Sequence, residues 1–212
     1  MCGTSAAVLE HALAIAGETA PNQLFASAPP PRDPSPEGSD VKEGIPWSVV
    51  TGLTALRLAE AGHTGPRNIL ESVRHYDLPD PIRFGGDAHI NHVYHKLYAC
   101  CRHVHAPLDA LLGLIADHDL TDADAITVET TSGALRISNL ARPSNLTDVQ
   151  YSIPYCLSLA MVRGQDGLMH LRQDVLNDHA VETLAQRVSL VLNPSFDARF
   201  PQETLARVTV RS

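Results

Sequence analysis

Lysine is almost missing from this chain: of the 16 basic residues among 212, only Lys42 and Lys96 are lysines, and the rest are arginines. Basic clusters are missing too, and the formal net charge is -8, so the chain lacks the one-sided Lys/Arg face that phosphate backbones require and is read as no nucleic-acid binder. No run approaches ~20 uninterrupted apolar residues, which excludes a membrane-spanning helix on length. The first 20 residues carry no basic stretch ahead of their apolar positions, so no secretory leader is expected and the sequence reads as cytoplasmic. Cysteines are few: Cys2, Cys100, Cys101 and Cys156. An adjacent pair is poor material for a disulfide framework and fits reduced thiols. What is present is a hydrophobic fraction of 44%, enough for a real core.

Residues 1–20 place Ala7, Leu9, Leu13, Ala14 and Ala16 at helical spacing, and their small size predicts an interior helix against other helices. Residues 27–41 hold most of a proline-rich loop that cannot continue it, with Lys42 at its far edge. Pro46 suits the first turn of a second helix with Val49, Leu53 and Leu56 on one face, closed by Gly62. A short helix is expected at residues 68–73. Turn formers Pro79, Pro81, Gly85 and Gly86 then set a domain boundary, giving the end of a helical domain over residues 1–80 and a mixed domain over residues 81–212.

Beyond the boundary the period changes. Residues 90–99 read as extended, and Pro107 opens a helix carrying Leu108, Leu111, Leu112 and Ile115. Residues 125–130 alternate as a strand; residues 147–150 have capping-box spacing. Val149, Ile153, Leu157 and Met161 mark a helix ending at Gly164, with Pro154 either kinking it or restarting it. Either arrangement puts Tyr155 near a helix start whose free amides could hold an anion. A further helix over residues 181–187 and strands over residues 188–192 and 206–210 complete an α+β pattern.

Chemistry-bearing side chains concentrate between His89 and His105, with five histidines, Cys100, Cys101, Lys96, Arg102, Tyr94 and Tyr98. A metal reading takes His89, His92 and His95 with Cys100, Cys101, His103 and His105, but lacks the paired short spacings of a zinc module. An anion reading takes Lys96, Arg102 and His105 as donors at the entry to a helix, the provision a carboxylate requires. A third reading leaves Lys96 and Arg102 as solvated charges and the cysteines as packing.

Four segments resemble the MmgE/PrpD family of dehydratases, decarboxylases and epimerases, in the family's order. They are Lys42 with Pro46-Trp47 and the Gly62 to Leu70 turn; the block Tyr94-His95-Lys96-Leu97-Tyr98-Ala99-Cys100-Cys101-Arg102-His103-Val104-His105-Ala106-Pro107-Leu108-Asp109-Ala110; Gln150 to Tyr155; and Ala206 to Val210. The block is the most specific, and both lysines of the chain fall on family positions. The resemblance implies a cofactor-independent active site for small di- or tricarboxylic acids such as 2-methylcitrate. Lys42 and Lys96 would bind or polarise carboxylates, with His105 and Tyr155 as further catalytic residues and Arg102, Ser152 and Cys101 as substrate-binding neighbours. No metal or organic cofactor is implied. His95 stands where an aromatic is usual, and Cys101 where decarboxylase members carry a histidine, which argues against cis-aconitate decarboxylation. Family members extend further at both ends, and their earlier helical part holds an acid and a base. The expected partner is therefore a chain that supplies that part, or a second copy in a homodimer. The alternative is a non-catalytic subunit or remnant that binds carboxylates or a full-length homologue.

Overall fold

A computed structural model describes residues 3–19, 45–72, 86, 89–93, 95–118 and 120–212. The proline-rich segment 27–41, Lys42 and the expected boundary between residues 80 and 81 lie outside the described residues. The described part divides into two compact units, one ending before and one beginning at His95.

The first unit is helical: α1 (Ala6–Thr19), α2 (Ile45–Glu60), α3 (Ile69–Ser72) and one turn of 3-10 helix at His89–His92. Helices α1 and α2 meet through small residues, with Ala12, Ile15, Ala55 and Ala59 buried together. The expected apolar faces are corrected by this contact, because Leu9, Leu13, Val49 and Leu53 all remain exposed. Alanines let two backbones approach closely, and the larger side chains are left on the outer faces. Gly62 ends α2 as expected, at φ 89°. Its amide donates to Ala59 O at 3.0 Å and that of His63 to Leu58 O at 2.9 Å, the paired bonds of a Schellman cap.

The second unit is α+β. In chain order it contains α4 (Arg102–His118), β1 (Ala125–Thr130), α5 (Ser132–Leu135), α6 (Leu146–Gln150), α7 (Ile153–Arg163), α8 (Asp166–Met169), α9 (His179–Ala185), β2 (Val188–Leu192), α10 (Pro194–Asp197) and β3 (Arg207–Arg211). The sheet runs β2-β1-β3, with β1 parallel to β2 and antiparallel to β3. Alternation along β1 buries Ile126, Val128 and Thr130 on one side, the pattern read from its sequence. Helix α7 packs against α4, α8 and α9. Its residues from Ile153 to Ala160 are all buried, so it is the unit's central helix and needs apolar residues all round. Leu108, Leu111, Ile126, Val128, Ile153, Leu157 and Val181 form the core around it.

Two local expectations are corrected. The extended run expected over residues 90–99 is absent among the described residues: His89–His92 coil into the 3-10 turn and residues 97–100 bend. No strand among the described residues offers that segment a ladder. Helix α4 starts at Arg102, with Pro107 inside it, rather than at Pro107. The ring removes only the bond that its amide would give to His103. Burial of Val104, Leu108 and Leu111 on one face holds the turn before it.

Candidate active site

The entry to α4 gathers the polar side chains of the block. Exposed Lys96 donates from Nζ to Cys100 O at 2.9 Å, which folds residues 96–100 into a loop. Tyr98 is buried beneath it, and its hydroxyl donates to Asp109 Oδ1 at 3.0 Å. The imidazole of His105 stacks on the Tyr98 ring, centroids 5.2 Å apart and planes at 29°. His105 and Asp109 are four residues apart on α4 and therefore share a face.

Burial pushes the His105 imidazole below its ordinary value of 6.5; the Asp109 carboxylate opposes that shift and the Lys96 ammonium adds to it. The ring is therefore neutral at neutral pH. Its Nε2 is buried and has no hydrogen-bond partner among the described residues. Burial and the Asp109 bond push the Tyr98 phenol up, so it stays a donor.

Arg102, in the first turn of α4, points elsewhere. Its Nη2 donates to Pro201 O at 2.7 Å, its Nε to Thr204 Oγ1 at 3.1 Å, and its guanidinium lies 5.3 Å from the centre of the Phe200 ring. These contacts tie the helix start to the segment leading into β3. Half-buried Cys101 gives its amide to Gln150 O at 2.7 Å. None of Cys100, Cys101 and Cys156 is in a disulfide. The Cys156 thiol, hydrogen-bonded with Cys100 and fully buried, is held far above its ordinary value and is inert packing.

Ser152 and Tyr155 belong to the start of α7. The helix restarts there, with Ser152 as N-cap and Pro154 in the first turn. Ser152 Oγ accepts from Tyr155 N at 3.1 Å and donates to Leu140 O at 2.6 Å. Asn139, at φ 48°, accepts from Ile153 N at 3.1 Å through Oδ1. Cys156 N donates to Ser152 O at 3.0 Å, and Pro154 has no N–H to give. The expected anion seat at this helix start is corrected accordingly, since its amides are already satisfied and buried. Tyr155 has no accessible surface, its hydroxyl donates to Val175 O, and its burial pushes the phenol up to about 12.

The structure thus brings Lys96 and His105 together, with Cys101 and Arg102 beginning the same helix, and sets Ser152 and Tyr155 into α7. The sequence reading gave no site role to three residues, Tyr98, Asp109 and Asn139, although it named the first among the chemistry-bearing side chains. The four-residue spacing from His105 to Asp109 was a usable signal for the second. No three His, Cys, Asp or Glu side chains among the described residues converge as a metal site. Among the same residues no helix is long and apolar enough to cross a membrane.

Comparison with known protein families matches residues 98–212, more than half of the chain, to the MmgE/PrpD C-terminal domain. No curated protein matches the chain.

Proposed function

The chain belongs to the MmgE/PrpD family, and from that premise we propose that it is the substrate-gripping part of a lyase acting on small di- or tricarboxylic acids. One observation carries the reading: a lysine and a neutral, half-buried histidine flank the start of α4, beside a phenol and a carboxylate. Such a set suits chemistry next to a carboxylate. Lys96 is the fixed cation that takes the substrate carboxylate, with Lys42 as its second by family resemblance. A fixed positive charge stabilises the negative charge that builds as the α-proton leaves. The neutral imidazole of His105 is in the right form to accept a proton or a hydrogen bond.

The reaction we favour is loss of water from a hydroxy-polycarboxylate such as 2-methylcitrate. The α C–H electrons form the double bond, the proton goes to a base, and the β-hydroxyl departs as water after protonation. The base and acid for these steps come from a partner chain. Ser152, Tyr155 and Arg102 serve through placement: they fix α7 and the start of α4. Cys101 lines the helix entry. The reading asks for no metal or organic cofactor.

The test is NMR of citrate, 2-methylcitrate and cis-aconitate in deuterated water with the purified chain and with Lys96→Met. We expect saturable line broadening of the acids without α-proton exchange, and affinity lower by about 10- to 100-fold in the variant, the loss of one charge-assisted contact. Unchanged broadening in Lys96→Met would overturn the role of that lysine. Exchange by the chain alone would show that it already holds a sufficient base, ending the need for a partner.

A further inference from the structure

The His105 ring is held by geometry rather than by a hydrogen bond at Nε2. An imidazole turns freely about its last torsion unless something fixes its plane, because that torsion is broad and two-fold. Buried nitrogens without partners are rare in folded proteins, and each one calls for a reason. Here Nε2 is buried and unpartnered among the described residues, while the ring face is covered by Tyr98 at 5.2 Å. Tyr98 cannot drift, since it is buried and its hydroxyl is tied to Asp109 Oδ1 at 3.0 Å. Asp109 sits one helical turn beyond His105 on the same face of α4. The carboxylate accepts the phenol's hydrogen bond, and it acts on the imidazole through its field.

We propose that Tyr98 and Asp109 are positioning residues for His105: the phenol, anchored by the carboxylate, is the flat surface that fixes the imidazole plane and leaves Nε2 as the unpaired nitrogen of the site. The arrangement orients a histidine without turning it into an ion pair, so the ring stays neutral and able to accept a proton. An Asp bonded directly to the ring would hold it as imidazolium more readily. This assignment rests on the reading of His105 as a proton- or substrate-handling residue.

The experiment follows the His105 ring signals of the full chain by long-range proton–nitrogen NMR through a pH titration. It is done in the parent protein, Tyr98→Phe, Tyr98→Leu and Asp109→Asn, with thermal melts alongside and citrate added at neutral pH. The charged groups that bear on the imidazole are Asp109 and Lys96. In Asp109→Asn the midpoint of His105 should therefore move to lower pH, because the opposing carboxylate is gone while an acceptor for Tyr98 remains. Tyr98→Phe, which keeps the ring but loses its anchor, should weaken the ring-current shift of the His105 protons, and Tyr98→Leu should abolish it. Citrate affinity should follow the ring, reduced in part in Tyr98→Phe and down at least about tenfold in Tyr98→Leu. Asp109 is exposed, so its variant remains informative even where Tyr98→Leu does not fold. An unmoved midpoint in Asp109→Asn, or unmoved ring signals in a folded Tyr98→Leu, overturns the assignment. If the ring signals follow the expected pattern but citrate binds no variant and not the parent, the carboxylate reading fails and the orientation of His105 stands.

Discussion

Gly65 shows how tightly single positions are set in the helical unit. A side-chain carbon there would lie 2.7 Å from Ile15 N and 2.8 Å from Ala14 Cβ. The loop is also held to α1 by Arg67 with Glu10 at 2.8 Å and by His11 Nδ1 with Gly65 O at 3.3 Å. The first of these pairs is exposed and adds little. Because the clash is with backbone, it cannot be relieved by a rotamer change, and Gly65→Ala should destabilise by about 1–3 kcal/mol, read from thermal unfolding. Gly62 has open space around it and a positive φ of 89°, so its alanine variant should lose only about 1 kcal/mol through backbone strain. The same pair of residues marks what a sequence reveals at this scale. A glycine after a helix announces its own cap, whereas the demand at Gly65 comes from α1, some fifty residues earlier. Arg102 is the parallel case for charge: its type advertised carboxylate binding, yet its hydrogen bonds go to Pro201 and Thr204, a distant segment no local pattern points to.

At the scale of elements, α7 depends on its entry. Ser152 makes two bonds there, to Tyr155 N at 3.1 Å and Leu140 O at 2.6 Å, and has no accessible surface. Ser152→Ala leaves the buried Tyr155 amide and the Leu140 carbonyl without those partners, and should cost about 1–2 kcal/mol. Urea unfolding should show a lower midpoint with an unchanged slope; a changed slope would mean that α7 unravels instead of merely losing its cap. Elements whose signal is local were legible: β1 from its alternation, β2 and β3 from short β-branched runs, α7's restart from Pro154 after a serine. Elements set by partners were not. α4 begins five residues before its proline because Val104 packs with Leu108 and Leu111, and the segment at residues 90–99 looked extended but finds no strand to pair with. In α1 and α2 the helices were legible and their buried faces were not, since the close contact chose alanine over leucine. For the candidate site, Lys96 and His105 stood out by residue type, while the link from Tyr98 to Asp109 and His105 became visible only once the bend at residues 97–100 turned the phenol onto the helix.

For the whole molecule, buried titratable groups bound the pH range in which the second unit is stable. His103 and His105 are both held below 6.5 first of all by burial, so the unfolded chain takes up protons that the folded one refuses. Their contribution is complete above 6.5 and is lost as pH falls from there toward their folded values. Asp197 is held below 3.8 by the amide and hydroxyl of Ser132, so its contribution fades lower still, as pH drops through its folded value. At the alkaline end Tyr155 acts alongside the Tyr98 phenol and the Cys156 thiol, which are also held above their ordinary values. Tyr155 is buried, and its phenol is pushed from 10.0 up to about 12 by that burial and by the nearby Glu182 and Asp178 carboxylates. A folded value above the unfolded one means that its stabilisation is full below pH 10 and is lost as pH rises toward 12. For a shift of that size the loss is about 2–3 kcal/mol. Tyr155→Phe lowers stability at neutral pH by removing the bond to Val175 O, but it also removes the group whose ionisation is resisted. Chemical denaturation of the parent should therefore show unfolding free energy falling between pH 10 and 12, and in Tyr155→Phe that fall should be smaller by about 2–3 kcal/mol. An equally steep fall in the variant would locate the alkaline transition in other groups and leave Tyr155 as a packing residue whose proton never matters.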